Sequence, residues 1–350
     1  MARSASSAGV PVTARRGLRR TLADELTAAA TIAGLKLLYH LPLRVSWAAA
    51  GFAGDVSYRL ARGRRDHARR NLRRVVEWMV ANDAGDEYHR AAATNPRRME
   101  TLLREAFRNH TRYYVELAYA PRFTPQYVIE AIEVETPAEV EEWLVPNRAM
   151  LLVGLHFGAI EFPGFFAVAK LGRVVAPMET VANPRIQRYV LSTRAAVGVR
   201  IVTLDDAGEL IATLRRGEAV GLVADRDITH AGLEVEMFGG KTRIPAGPVV
   251  LAAESGAPMC VAAVRRAGLG RYRGKLYGVA VPDGASRREK SRMMVREEAR
   301  LFERLISDAP EQWLSLFHPI WPDLESTAPP LPTAPRAQEG AEAHVAELRR

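Results

Sequence analysis

Apolar residues in the second half of the chain fall in short runs separated by longer amphipathic stretches. Residues 149–155, 173–178, 199–204, 219–224 and 259–264 are predominantly apolar runs of strand length. Between them, 158–172, 184–198, 206–217 and 245–256 have helical length. Two of these open on Pro184 and Pro245, a position where a missing N–H costs nothing. Residues 272–281 predict a sixth strand and 287–307 a long charged helix. Upstream, 69–120 reads as helical: Leu102, Leu103, Ala106, Phe107, His110, Tyr113, Tyr114 and Leu117 recur at three- and four-residue spacing, until Pro121 and Pro125. Strands alternating with helices predict an α/β fold, with a mainly parallel central sheet flanked by helices. Ligands in such folds bind outside the carboxyl ends of strands. The chain divides into a flexible basic stretch (1–20), a helical part expected to associate with a membrane (21–145), an α/β part continuous with it (146–323) and a Pro/Ala/Glu-rich flexible tail (324–350).

The most apolar upstream region, 26–54, is broken by Lys36, His40, Pro42 and Arg44. Its uncharged pieces, ~10 residues each, fall short of the ~20 that a membrane-spanning helix needs. Two apolar segments around Pro42 predict either a helical hairpin lying in a membrane interface, anchored by Tyr39, Trp47 and Phe52, or a hairpin buried in the core. Eight arginines against the single acid Asp66 follow at 59–74. Such a run suits anionic lipid headgroups. A solvated helix face or a nucleic-acid patch would read alike, but no zinc-finger spacing or aromatic ribonucleoprotein motif accompanies it.

Composition narrows the choice in part. The 350 residues carry 49 Lys and Arg against 40 Asp and Glu, a net charge of +9, and only five of the bases are lysines. The excess points to an anionic partner: nucleic acid, anionic lipid or a phosphorylated small molecule. An apolar share of 48 % excludes overall disorder. The one cysteine, Cys260, excludes an internal disulfide and a Cys-rich zinc site, and its predicted strand makes it a core residue. The eight histidines do not cluster at ligand spacing, so no metal is expected.

Several motifs fail on spacing. Gly240-Lys241-Thr242 resembles the end of a phosphate-binding loop, but the required earlier glycine is Val235. Gly268, Gly270 and Gly274 have the wrong spacing for a dinucleotide fingerprint, and no Gly-x-Ser-x-Gly is present. Three features survive. His156 follows the first strand of the α/β part and Glu161 falls five residues later. A carboxylate on the second nitrogen of an imidazole sets its tautomer and raises its basicity. On one helix this spacing would separate the side chains by about 140°. A His156–Glu161 pair therefore requires His156 in the turn before the helix, where Gly154 and Gly158 leave room. Asp225, Arg226 and Asp227 follow a second buried strand, as a structural ion pair or as a headgroup-binding set. Lys241 and Arg243 stand in the loop before a helix whose N-terminus suits an anion.

The order of these features resembles the bacterial lipid A biosynthesis (lauroyl/myristoyl) acyltransferases, and within them the actinobacterial phosphatidylinositol mannoside acyltransferases. The resemblance rests on His156 and Glu161 (H-x4-D or H-x4-E in the family), Ala-Asp-Arg-Asp at 224–227 and Phe-Gly at 238–239. Ile-Pro-Ala-Gly-Pro at 244–248, Ser-Gly-Ala at 255–257 and Arg-Arg-Asn-Leu-Arg at 69–73 extend it. It covers about 20–323. Ala159 and Ile160 stand where the family often has Asn-Trp, and the clear membrane span of lipid A members is missing. The resemblance implies acyl transfer from a thioester, acyl-CoA or acyl carrier protein, to a hydroxyl of a membrane glycolipid or phospholipid of the phosphatidylinositol mannoside type. No cofactor is needed. His156 would be the general base and Glu161 its orienting partner, with Arg226 or backbone N–H groups meeting the oxyanion. Asp225 and Asp227 would bind acceptor hydroxyls, and Lys241 and Arg243 a phosphate. The expected partners are the acyl donor and an anionic lipid rather than nucleic acid. The expected place is the cytoplasmic face of the plasma membrane, peripheral or monotopic. A non-catalytic lipid-binding protein on the same fold is the alternative, and the intact His156 and Glu161 argue against it. His110 reads as a packing residue. His318 either borders an acyl tunnel or closes the core.

Overall fold

The computed structural model of the protein describes residues 12–325 except 179–180, 182, 204–205, 228–230, 283 and 285. The expected tail beyond 325 and residues 1–11 lie outside the described residues. The helical part opens with α1 (Val12–His40) and α2 (Leu43–Leu60), which part at Pro42, whose ring fixes φ and removes a donor, and do not pack along one another as a hairpin. Residues 12–20, expected to be flexible, belong to α1. There follow α3 (Arg62–Ala81), the short α4 (Glu87–Arg90) and α5 (Pro96–Tyr119). Asn95 caps α5 by accepting from the Arg97 and Arg98 N–H groups, with Pro96 in the first turn. Ser46, Ala50 and Gly54, four residues apart, form the buried stripe of α2. At Gly54 a Cβ would lie 2.6 Å from the Arg108 Cα, so the helices touch at their backbones. The other side of α2 is bare: Val45 is 50 %, Phe52 70 % and Leu60 77 % exposed. Helix α2 is therefore core on one face and open on the other. No helix among the described residues is long and apolar enough to cross a membrane.

The chain continues through α6 (Pro125–Ala131), β1 (Ile132–Glu135), α7 (Ala138–Glu141), β2 (Met150–Gly154), α8 (Phe162–Leu171) and β3 (Val174–Met178). Next come α9 (Pro184–Ala196), β4 (Val199–Thr203), α10 (Ala207–Arg215) and β5 (Ala219–Val223). A separate antiparallel hairpin, β6 (Leu233–Met237) and β7 (Gly240–Ile244), precedes α11 (Gly247–Ser255). The last elements are β8 (Met259–Gly268), β9 (Arg271–Val279), α12 (Arg287–Ser307) and α13 (Pro322–Glu325).

Seven strands form one sheet in the order β1-β9-β8-β2-β5-β3-β4, parallel throughout except between β8 and β9. This is the mainly parallel, helix-flanked sheet that the apolar pattern predicts. Every residue of β2 is buried, as expected of a central parallel strand covered on both faces. Leu151, Val153, Val220 and Val261 share a core with α3, α11 and α12, while Met150, Leu152, Ala219 and Cys260 pack with Ala167 and Leu171 of α8. The chain leaves β2 toward β3 on one side and returns as β8 on the other. The carboxyl end of β2 is thus a topological switch point, where open α/β sheets place their ligands.

Candidate functional site

Parallel pairing decides what meets at that edge. Gly154 at the end of β2 lies beside Val223 at the end of β5, and the Ala224 N–H donates to the Gly154 carbonyl at 3.1 Å. The residues two beyond each strand therefore fall side by side, and they are His156 and Asp225. His156 Nδ1 is 2.7 Å from Asp225 Oδ1, which also accepts the His156 backbone N–H at 3.0 Å. The other oxygen, Oδ2, accepts from Trp313 Nε1 and Ser315 Oγ, each at 2.8 Å. Asp225 is fully buried. Burial opposes its charge, but the His156 ring and the hydrogen bonds from Trp313 and the His156 backbone hold its carboxyl well below the usual carboxylate range. An ionised carboxylate only accepts, so this contact assigns the proton to Nδ1 and leaves Nε2 with a free lone pair.

The wall behind this pair comes from the end of the chain. The Leu314 N–H donates to the His156 carbonyl at 2.7 Å and the Gly158 N–H to the Gln312 carbonyl at 2.9 Å. Gln312 is itself locked to the Arg266 backbone in both directions, at 2.8 and 3.0 Å. The turn after His156 is tight enough to demand glycine. Gly158 has φ +55°, and a Cβ there would lie 2.2 Å from the Val264 carbonyl oxygen.

Glu161 does not occupy the expected place on the second imidazole nitrogen. It sits at the start of α8 and accepts from Arg194 of α9 at 3.1 and 2.8 Å, and from the Tyr113 hydroxyl at 3.4 Å. The reason is topological: the adjacent parallel strand β5 places Asp225 on His156 Nδ1, while Arg194 and Tyr113 hold Glu161 toward α9 and α5. Burial would lower the Arg194 pKa, but the Glu161 charge holds it above its ordinary value. Arg194→Ala is expected to lower stability by ~3 kcal/mol, because it strands a largely buried carboxylate. Urea unfolding checks this, and an unchanged midpoint would show that the pair holds nothing.

A cavity of about 280 Å³ opens beside His156. Leu152, Gly154, Ala176 and Gly221 from the sheet and Gly164 from α8 give it a slot-like apolar floor, with His156, Glu161, Arg194 and Arg226 as its polar wall. Arg226 thus lies at the cavity, with its Nε buried and lacking a hydrogen-bond partner among the described residues. Asp225, expected to bind an acceptor hydroxyl, is sealed beneath His156. Asp227 accepts the Gly232 N–H at 2.8 Å, closing its own loop onto the start of β6. Lys241 and Arg243 do not reach the cavity. On β7 they lie opposite Glu236 and Glu234, and Lys241 Nζ is 3.4 Å from Glu234. Strand alternation puts all four charges on one exposed face, where opposite signs pair across the hairpin.

Cys260 is core, as expected: it is buried against Met150, and burial pushes its thiol up to about 12. Burial, with Arg64 and Arg266 nearby, pulls His110 down to about 4. Burial, with Arg226, His156 and Arg64, pulls His318 down to about 3. Both rings are therefore neutral in the folded protein at pH 5, where an unfolded chain would protonate them. Their folded values lie below the ordinary 6.5, so stability is lost as pH falls from about 6.5 toward 4. Melting temperature is expected to drop across that window, and a His110→Gln, His318→Gln double variant to flatten the slope. An unchanged slope would contradict the assignment.

A family model described as bacterial lipid A biosynthesis acyltransferase matches residues 18–322. Among curated proteins, a phosphatidylinositol mannoside acyltransferase of Mycolicibacterium smegmatis is 26 % identical over 247 residues, 69 % of this chain and 75 % of that protein. The lipid A biosynthesis palmitoleoyltransferase of Escherichia coli is 25 % identical over 222 residues, 61 % and 70 % of the two chains. A solved structure, the 1-acyl-sn-glycerophosphate acyltransferase PlsC of Thermotoga maritima, aligns over 68 % of this chain and 96 % of its own. Its identity is 16 % and its TM-score 0.32, too slight to bear on the argument.

Proposed function

The chain belongs to the bacterial lipid A biosynthesis acyltransferase family and is an acyltransferase, and we propose that it acylates a hydroxyl of a membrane glycolipid of the phosphatidylinositol mannoside type. The donor in this reading is a thioester, acyl-CoA or acyl carrier protein. The apolar slot holds the acyl chain and brings the thioester carbonyl to its mouth. His156 Nε2 takes the proton of the acceptor hydroxyl as its oxygen attacks that carbonyl. The tetrahedral intermediate collapses, the C–S bond breaks, and His156 returns the proton to the departing thiolate. Asp225 keeps the Nδ1 proton in place and stabilises the imidazolium between the two steps. Attack is direct, so no protein nucleophile is used. Glu161 contributes by tying α8 to α9 through Arg194, which holds one wall of the cavity in place.

The bare side of α2 supports a membrane-lying role. Val45, Phe52 and Leu60 are exposed there, and the exposed Arg59 and Arg62 stand next to Leu60 in the chain, a combination that favours an anionic lipid surface. Binding on the cytoplasmic face of the plasma membrane, without crossing it, follows from this reading.

The observation that carries the proposal is the His156–Asp225 pair at the mouth of an apolar slot. The test is incubation of the full chain with palmitoyl-CoA and a phosphatidylinositol mannoside, read by mass spectrometry and thiol release. One added acyl chain per thiol released is expected. Thiol release without acylated lipid, or neither, would overturn the reading.

A further inference from the structure

A second cluster of basic groups lies next to His156, built from parts of the chain that the reaction above leaves unused. The short helical turn at 314–317 follows Trp313, which binds Asp225, and leads to Phe317 and His318. Arg64 of α3 stacks on the Phe317 ring, its Cζ 4.6 Å from the centroid, and its terminal nitrogen is 2.9 Å from His110 Nε2 on α5. The His110 ring in turn lies 5.2 Å from that of Phe317. Arg226, next to Asp225, lines the cavity beside His156, and its charge acts on the His318 ring together with those of His156 and Arg64. Four segments far apart in sequence therefore bring two arginines and two imidazoles together beside the catalytic one.

The cluster lacks anions. Among the described residues, neither Arg64 nor Arg226 forms an ion pair with a carboxylate; of the nearby acids, Asp225 is engaged with His156, Trp313 and Ser315, Glu116 with Arg266, and burial pushes the Glu298 carboxyl well above the usual range, which disfavours its charge. His110 Nδ1 and Arg226 Nε are buried with no hydrogen-bond partner. A half-buried guanidinium without a counter-charge and orphaned buried donors both carry a free-energy cost. A ligand that brings oxygen anions would remove it. Arginine's planar fork matches phosphate oxygens, and imidazole N–H groups can complete the set.

We infer that Arg64, Arg226, His110 and His318 form a phosphate-binding subsite that anchors a phosphorylated substrate beside His156. This rests on the acyl-transfer reading for its purpose but not for its existence. The phosphate belongs either to a phosphodiester lipid headgroup or to the coenzyme A portion of the donor. A bound phosphate would also reverse the electrostatics of the two rings, since a nearby anion favours the imidazolium that neighbouring cations now disfavour.

The test titrates the full chain with inorganic phosphate, glycerophosphoinositol and coenzyme A while following the ring C–H resonances of His110 and His318. Saturable shifts, with both rings titrating at higher pH, are expected from at least one ligand. Arg64→Gln should weaken that ligand at least tenfold, and Arg64→Lys less. A response to glycerophosphoinositol assigns the site to the acceptor, and one to coenzyme A alone assigns it to the donor. No shift with any of the three, or equal affinity in Arg64→Gln with an unchanged melting curve, would overturn the inference. If phosphate binds but the acyl-transfer assay fails, the site stands and the reaction assigned to it falls. If transfer proceeds with no phosphate response, the reverse holds.

Discussion

His156→Ala is expected to lower the rate of acyl transfer by ~10²–10⁴-fold, the range a positioned general base supplies. The effect falls on kcat, because the apolar slot that would bind the acyl chain is formed by residues the substitution does not touch. The variant should fold. His156 is one-third exposed, and its removal leaves Asp225 accepting from Trp313, Ser315 and the backbone N–H of residue 156, so the buried charge keeps most of its donors. Single-turnover kinetics on a variant of unchanged circular dichroism measures the effect. Turnover within a few-fold of the parent would remove His156 from the chemistry.

Asp225→Asn is expected to be nearly as severe, for a reason that geometry makes specific. Four donors converge on the two oxygens of Asp225: the His156 ring and backbone on one, Trp313 and Ser315 on the other. An amide has a single oxygen. Whichever way it is turned, its NH₂ confronts two donors. If the oxygen stays with Trp313 and Ser315, the NH₂ faces Nδ1 and favours the tautomer whose proton sits on Nε2, where a base cannot use it. The imidazolium would also lose its counter-charge. Comparable imidazole–carboxylate pairs in serine hydrolases lose about 10⁴-fold on this change. A destabilisation of about 1–3 kcal/mol should accompany it, from buried donors left unpaired. Raising the pH should not restore activity, because the missing charge is not a titration effect. Activity within a few-fold of the parent at any pH from about 6 to 9 would take the tautomer-holding role away from Asp225. By contrast, Glu161→Gln should cost much less than Asp225→Asn. The opposite ranking, measured as kcat, would return the orienting role to Glu161.

The sequence showed the strands because their apolar runs are continuous, and it placed His156 at a sheet edge for the same reason. Three strands lack such a run and do not stand out in the sequence. Ile132–Glu135 has only two apolar residues and lies on the sheet's outer edge, where little burial is needed. The β6–β7 hairpin alternates apolar and charged positions across a Phe238-Gly239 turn, a pattern overlooked beside the glycines and Lys241. The partner of His156 was misplaced because nearness along the chain stood in for nearness across the sheet. The useful signal was present: His156 and Asp225 each stand two residues past the end of a buried strand. It becomes decisive only when β2 and β5 are known to be neighbours, and strand order is not written in local periodicity. The contributions of Trp313, Ser315 and Arg194 were out of reach for the same reason, since each depends on a contact between distant segments.

The donors on the outer oxygen of Asp225 come from residues 88 and 90 positions further along the chain. On the ribosome, β2, β5 and the apolar slot have all emerged well before Trp313 and Ser315. Until they arrive, Oδ2 has neither of its side-chain donors, and the fully hydrogen-bonded carboxylate behind His156 is incomplete. A chain truncated before Trp313 is therefore expected to lose acyl transfer even though it keeps both His156 and Asp225.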